Sequence, residues 1–528
     1  MMKGQGGYLS LLAWGLALFG LYAFVDVVNG VNAWDECWFL QVVHRLTSGD
    51  VLYRDVFYGT TPLSVYLTTL FTSLFGSEVL VLKAITGLIY ISIVLISGRI
   101  LHQVSSTRGF PLFFAVALLT LAPPWLNTAP YTPLANLFFL VCLSAALSWM
   151  RKEEGANETP LVRRKMGGST ISLAIGGMAA GLSFASKQNI GFYALAAFFF
   201  SVIIGLWRKQ RMGPKVLFAV TVILVSFSLT VVLILLPVGL NGGWAKFLEY
   251  GFLNRGTYLE LAEVSYVDGI GIFQYLIHRA NSVEQWMTSF KYTLYFWPFL
   301  VFGGLLAALT RKPHRKRQTA VVTIFVAMGF LAVFPRADLP HLGYAVPELL
   351  IGLLYSWNLL KPNQATGWVK PIQASLVVWI GIGMSLILAT SIAKIESPKY
   401  AVSTLPHFGY VLMEERIIHE IRTSASALSD AVSRGERPFL LSPRAGLFYL
   451  VSGGKNPTPF DFPLVTAFGR DGEADVISSL ARGSLSSVWV DPEISTMPHL
   501  RPRRLLAYLR DNMKPGEKLG VFTPYRFR

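Results

Sequence analysis

The strongest constraint on this chain is a succession of apolar blocks, each roughly 17–24 residues long, the length of helix that crosses a bilayer core of about 30 Å. Inside a bilayer every backbone N–H and C=O must be satisfied within the protein, so such blocks fold as helices. They lie near residues 9–31, 79–101, 110–124, 132–150, 169–186, 190–207, 216–237, 292–310, 319–334, 343–360 and 372–392. Eleven crossings are therefore expected. The chain is 53% hydrophobic and 14% charged, against roughly a quarter charged in soluble domains. That balance excludes one large soluble core, and equally disorder, collagen and coiled coil. Two cysteines in 528 residues exclude a disulfide scaffold.

The net charge of +16 would suit nucleic acid, but its placement argues for a membrane. Up to residue 392, the loops on one side hold 19 Lys/Arg and 3 Asp/Glu. The opposite side and its edges hold 9 and 13, and the tail from 393 holds 18 and 14. Basic loops stay cytoplasmic, so 151–165, 208–215 and 311–317 are expected inside. The first block follows Lys3 and lacks a small-residue cleavage site, so it reads as a retained signal-anchor. The N-terminus is then cytoplasmic and the C-terminus external, in the plasma (inner) membrane of a cell with a periplasm or external face.

Two connections on the external side exceed simple turns. Residues 32–78 end in the apolar stretch Pro62–Phe75, too short to span and suited to a helix in the interface. Residues 238–291 are rich in aromatics and mixed charge and are expected to be folded against the membrane. Residues 1–392 thus form a transmembrane module, and 393–528 an external domain of soluble composition. Within that domain Leu412, Ile418, Ile421, Ala425, Leu428 and Val432 mark one face of a helix. Strands are expected at Pro438–Leu441, Ser487–Val490 and Leu519–Thr523, with helices at Ala474–Ala481 and Arg503–Asn512, a small α/β arrangement.

Charged residues at the external edges carry the chemistry. Trp34-Asp35-Glu36 opens the first long loop, and two carboxylates at a membrane surface must be solvated, paired or working. Tyr53-Arg54-Asp55-Val56-Phe57 follows, and Asp55 is either a site carboxylate or the partner of Arg54. Asp26 and Lys83 lie near the external ends of their blocks, to pair or to snorkel. Tyr131, Tyr250 and Tyr258 are placed to line a site by stacking and hydroxyl contacts or to form an aromatic belt. There is no His-x-x-x-His, Cys-x-x-Cys or Walker loop.

The string Asp35-Glu36, Arg45, Gly49, Leu52-Tyr53-Arg54-Asp55, Pro62-Leu63, Tyr66-Leu67 and Phe75-Gly76 resembles the first external loop of GT-C glycosyltransferases of the bacterial protein-mannosyltransferase and aminoarabinose-transferase superfamily. Gly181 to Gln188, Arg336-Ala337-Asp338-Leu339-Pro340-His341 with Pro347, and Tyr449 to Gly454 with Pro457-Thr458 continue the resemblance. It departs at one place. The cation common just before the family's Pro-Pro turn is replaced by Gly59-Thr60-Thr61 ahead of a single Pro62.

The resemblance implies a mainly α, polytopic membrane protein of GT-C type with about eleven transmembrane helices and a small external α/β domain. It also implies inverting transfer of a sugar from a polyprenyl-phosphate carrier to a glycan, lipid or protein acceptor on the external face of the cell envelope. Asp35 is then the catalytic base, with Glu36 the less favoured candidate. Arg54, Lys187, Arg255, Arg336 and His341 are the candidates for the donor phosphate, and Asp55, Tyr131 and Asp338 for the substrate. Related lipid-sugar transferases need not use a metal; a divalent cation, which has little support, would draw on Asp35, Glu36, Asp55 and Asp338. A polyprenyl-linked sugar transporter or flippase is the alternative, as is a non-catalytic sensor or assembly subunit. The clustering of ionisable residues at span ends, without repeat symmetry, favours the enzyme.

Overall fold

The computed structural model of the protein describes residues 5–104, 110–121, 129–155, 166–206, 212–253, 261, 263–311, 315–360, 369–496 and 500–527. Each of the eleven apolar segments holds a helix. In chain order, with the short helices between them, these are α1 (Gln5–Val28), α2 (Asp35–Thr47), α3 (Leu63–Phe75), α4 (Val79–Val104), α5 (Phe110–Leu121), α6 (Tyr131–Gly155), α7 (Met166–Ser186), α8 (Gln188–Leu206) and α9 (Met212–Leu240). Then come α10 (Trp244–Leu248), α11 (Tyr266–Ile277), α12 (Val283–Tyr292), α13 (Trp297–Arg311), α14 (Lys316–Leu331), α15 (Leu339–Tyr344), α16 (Val346–Leu359) and α17 (Val369–Glu396).

Among the described residues seven helical stretches are long and apolar enough to cross a membrane, the sixth running through α12 and α13 from Gln285 to Arg311. The protein is a multi-pass membrane protein. α14 and α16, at 16 and 14 residues, span only about 24 and 21 Å at 1.5 Å per residue. α16 is buried along nearly its whole length, so it is enclosed by neighbours rather than by lipid. α9 is the opposite: Leu217, Phe218, Val225, Leu229, Val232, Leu233 and Leu236 are exposed, a face that only hydrocarbon would leave without cost.

With lipid as apolar as leucine, helix association relies on close contact. On α7, Gly177 and Gly181 form a small-xxx-small face against α9. A Cβ at Gly177 would lie 2.6 Å from the Ile223 carbonyl oxygen, and one at Gly181 3.0 Å from that of Phe227. This packing fixes the α7–α8 corner, where Lys187 sits.

Pro62–Phe75 forms α3 from Leu63 onward, and the described residues of 238–291 include α10, a π turn (Glu249–Leu253), α11 and most of α12. Beyond α17 lie β1 (Tyr400–Val402) and β2 (Leu412–Glu414), an antiparallel pair. A small α/β domain follows: α18 (Glu415–Ser433), β3 (Pro438–Leu441), α19 (Ala445–Ser452), α20 (Gly472–Ala481), β4 (Ser487–Val490), α21 (Arg503–Asn512), β5 (Met513–Pro515) and β6 (Thr523–Phe527). Its sheet has the order β3-β4-β6-β5; β3 and β4 are parallel and the other pairings antiparallel.

The strand expected at Leu519–Thr523 begins only at Thr523. Leu519 and Phe522 instead pair with each other around Gly520 at φ +59°, a turn that needs the left-handed conformation. α19 carried no amphipathic signal because six of its eight residues are buried. It packs on α2, and a Cβ at Gly446 would stand 2.8 Å from the Cys37 carbonyl oxygen.

Candidate active site

The site is built from the start of α2. The Asn32 side-chain oxygen accepts from the N–H groups of Trp34 (2.9 Å) and Asp35 (3.1 Å), and the Asn32 N–H donates to Glu36 Oε2 at 2.9 Å. This reciprocal capping satisfies N–H groups that a helix start otherwise leaves orphaned. Lys83 of α4 donates to Glu36 Oε1 at 3.1 Å and to Asp26 Oδ1 of α1 at 2.9 Å. All three side chains are buried. Glu36 is therefore the member of an ion triad that ties three helices together. Asp26 and Lys83 pair rather than snorkel.

Successive side chains on a helix diverge, so Asp35 faces elsewhere. Its carboxylate has no hydrogen-bond or ion-pair partner among the described residues. Burial pushes its pKa above the usual carboxylate range, against the pull of Arg336 and Lys187 and with a contribution from Asp338. Asp35 is thus brought into the electrostatic company of residues 152 to 303 positions away.

Lys187 stands at the α7–α8 corner. It donates to Thr132 Oγ1 at 3.0 Å and lies 5.4 Å from the ring centre of Tyr131 and 5.1 Å from that of Tyr344. The aromatic faces favour a cation at that point. Arg336 pairs with Asp338 at 2.5 Å. Asp338 also caps α15 by accepting from the His341 N–H at 3.1 Å, and contacts His341 Nδ1 at 2.5 Å. Burial would raise the Asp338 pKa, but the hydrogen bond and charge of His341 and the Arg336 guanidinium hold it down to about 2. Burial lowers the pKa of His341, an effect only partly opposed by Asp338. With Nδ1 on Asp338, His341 leaves Nε2 as its other hydrogen-bonding atom.

The segment carrying these residues is held in place by distant parts of the chain. The Val264 N–H donates to the Pro335 carbonyl at 3.4 Å, and the Ala337 N–H to that of Val264 at 3.0 Å. Tyr295 donates to the Ala337 carbonyl at 2.7 Å, and Asn136 to that of Tyr344 at 2.5 Å. Across the site, Thr61 donates to the Phe184 carbonyl at 2.5 Å, and Gln188 to those of Gly59 (3.3 Å) and Gly251 (3.0 Å). The long loops and the α7–α8 corner thereby form one frame.

Asp35, Lys187, Arg336, Asp338 and His341 come together, with Tyr131 beneath Lys187. Arg54 and Asp55 do not join them. They pair with each other at 2.8 Å, and the Asp55 backbone carbonyl accepts from Arg45 at 2.8 Å. Arg45 also binds Asp50 (2.8 Å), Asp461 (3.0 Å) and the Thr458 carbonyl (2.8 Å), joining the first long loop to the C-terminal domain. Tyr250 packs on Phe57 with ring centres 4.6 Å apart and is buried. Arg255 and Tyr258 lie outside the described residues. Thr132 and Tyr344 were not singled out from the sequence. Tyr344 follows His341 by three, a spacing that puts both on one helix face. No three His, Cys, Asp or Glu side chains gather as a metal-binding set among the described residues.

No protein-family model matches the chain, and no curated protein matches it by sequence. Solved structures do match by shape. Archaeal oligosaccharyltransferase AglB from Archaeoglobus fulgidus, in complex with an inhibitory peptide and a dolichol-phosphate, is similar at a TM-score of 0.54 and 11% identity. The match covers 98% of this chain and 74% of that one. ArnT from Cupriavidus metallidurans bound to undecaprenyl phosphate is similar at 0.52 and 14% identity, covering 99% and 98%. The same protein in its apo state gives 0.53 and 13%, covering 98% and 97%. The chain has the GT-C fold.

Proposed function

We propose that this protein is an inverting glycosyltransferase that moves a sugar from a polyprenyl-phosphate carrier to an acceptor on the external face of the plasma membrane. One observation carries the reading: a carboxylate, Asp35, that makes no hydrogen bond or ion pair among the described residues, lies within the electrostatic influence of the cations Lys187 and Arg336. The GT-C neighbours crystallised with lipid phosphates support it.

The acceptor hydroxyl is a weak acid, and a positioned carboxylate that takes its proton contributes typically 10²–10⁴-fold. Burial raises the proton affinity of Asp35, which suits that task. The acceptor oxygen attacks the anomeric carbon from the face opposite the phosphate. The bond from that carbon to the phosphate oxygen breaks, and its electron pair leaves with the polyprenyl phosphate. The leaving group needs no proton, only preorganised positive charge. Lys187 and Arg336 supply that charge, and His341 adds a hydrogen-bonding atom. Glu36 sets the direction of Asp35 by anchoring the start of α2 to Lys83.

The test is turnover of the full-length protein in nanodiscs with a panel of polyprenyl-phosphate sugars and a membrane glycan extract, read as released polyprenyl phosphate. Release with one sugar, lost in Asp35→Asn, is the expected result. Release that persists in Asp35→Asn overturns the assignment of the base. Transbilayer movement of the donor without release would make the protein a flippase instead.

A further inference from the structure

A cavity that Asp35 does not line opens between the ends of α1, α12 and α17. Its volume is about 240 Å³, and it is lined by Asn29, Met287, Thr288, Lys291, Ile387, Thr390 and Lys394. Lys187 and Arg336 do not line it. Two ammonium groups from different helices converge there, and the described lining residues include no carboxylate.

The lining is ordered along the helix axes. On α17 the stripe runs Ile387, Thr390, Lys394, at steps of three and four, so all three share one face. On α12 it runs from Met287 and Thr288 to Lys291. Each stripe thus passes from apolar through hydroxyl to ammonium, and on α17 it does so over seven residues, about 10 Å. At the apolar end Met287 and Ile387 are buried with Val25 of α1. At the cationic end Lys394 Nζ donates to Asn29 Oδ1 at 3.1 Å. On the same two helices Trp286, Ile392 and Ile395 are exposed, as side chains at a membrane–water interface are.

Lysines in the last turns of α12 and α17 also complement the helix dipoles. That role does not account for a cavity between them, or for hydroxyl groups sharing their faces. We infer that this cavity is a second anion site that takes the phosphate group of a net-anionic membrane lipid, with Lys291 and Lys394 on the phosphate and the Met287–Ile387 end against the lipid's apolar part. A free phosphate ion would use the ammonium groups but not the apolar floor. The volume is below the roughly 300–1,000 Å³ usual for whole small-molecule pockets, which fits a headgroup whose chains remain in the bilayer. The inference does not depend on the chain transferring a sugar.

The experiment is native mass spectrometry of the full-length, detergent-purified protein titrated with phosphatidylglycerol, phosphatidylcholine or inorganic phosphate. The wild type is expected to retain one phosphatidylglycerol in preference to phosphatidylcholine. The Lys291→Gln/Lys394→Gln variant is expected to hold it about tenfold more weakly or worse, and Lys291→Arg/Lys394→Arg to keep it. Equal retention by wild type and the Gln variant overturns the site, as does equal retention of the two lipids by the wild type. Displacement of the lipid by equimolar inorganic phosphate overturns the lipid assignment. If the double Gln variant fails to fold, each single Gln variant is titrated in the same way.

Discussion

Lys83 Nζ lies 3.1 Å from Glu36 Oε1 and 2.9 Å from Asp26 Oδ1, so one ammonium holds α4 to α2 and α1 at the point from which Asp35 projects. Removing one partner of a buried ion pair strands the others, at a cost of about 3–5 kcal/mol. Lys83→Met should therefore lower the thermal midpoint and turnover together. The triple variant Asp26→Asn, Glu36→Gln, Lys83→Met, which leaves no charge stranded, should recover most of the stability. A triple variant as unstable as Lys83→Met would show that the triad does not act through charge.

Asp35→Asn keeps the shape of the side chain and loses the base. Turnover should fall by about 10²–10⁴-fold, with the thermal midpoint and donor binding near the wild-type values. A parallel fall in stability would assign Asp35 a structural role.

The pH profile follows from the neighbours of Asp35. Burial raises its pKa, and Arg336 and Lys187 lower it. The base works when deprotonated, so kcat/KM should be lost as pH falls through that value. Arg336→Gln removes one of the lowering charges, so the acid limb should move to higher pH while donor binding weakens. An acid limb that stays in place in Arg336→Gln would mean another group sets it.

Asp338 holds a pKa of about 2, below its usual 3.8. The stabilisation is fully present above pH 4 and is lost as pH falls toward 2, and is on the order of 2 kcal/mol. The difference in thermal midpoint between wild type and Asp338→Asn should be large at pH 6 and shrink as pH is lowered toward 2. A difference independent of pH would point to the cap of α15 alone.

Gly446→Ala sets two effects against each other. Alanine gains roughly 0.5–1 kcal/mol over glycine inside a helix, but its Cβ would meet the Cys37 carbonyl at 2.8 Å. Backbone cannot give way there cheaply, and overpacking costs about 1–3 kcal/mol. The expected net result is destabilisation, with faster proteolytic release of the C-terminal domain. Unchanged proteolysis would mean that α19 and α2 are not held by this contact.

Much of the fold was legible because its signals are local. An apolar block of about twenty residues has few options in a bilayer, and the helix face through Ile418, Ile421 and Leu428, like the strands 438–441 and 487–490, follows from side-chain period alone. α19 was not legible because a helix buried over six of its eight residues has no polar face to reveal its period. The turn at Gly520 moved β6 for a similar reason: a left-handed glycine leaves no trace in a hydrophobic pattern.

The sequence by itself determined a polytopic helical membrane chain with a small α/β domain, and marked Asp35, Lys187, Arg336, Asp338 and His341 as charged residues at the helix ends. Which charges meet was decided only by the tertiary structure. Asp35 and Glu36 are neighbours in the chain, yet Glu36 is locked to Lys83 while Asp35 comes under the charge of Arg336, 301 positions away. Arg54 bears the same charge as Arg336 but pairs with Asp55 instead. Electrostatic partnership depends on distance and burial in space, and neither is encoded in spacing along the chain once helices from its two ends pack together.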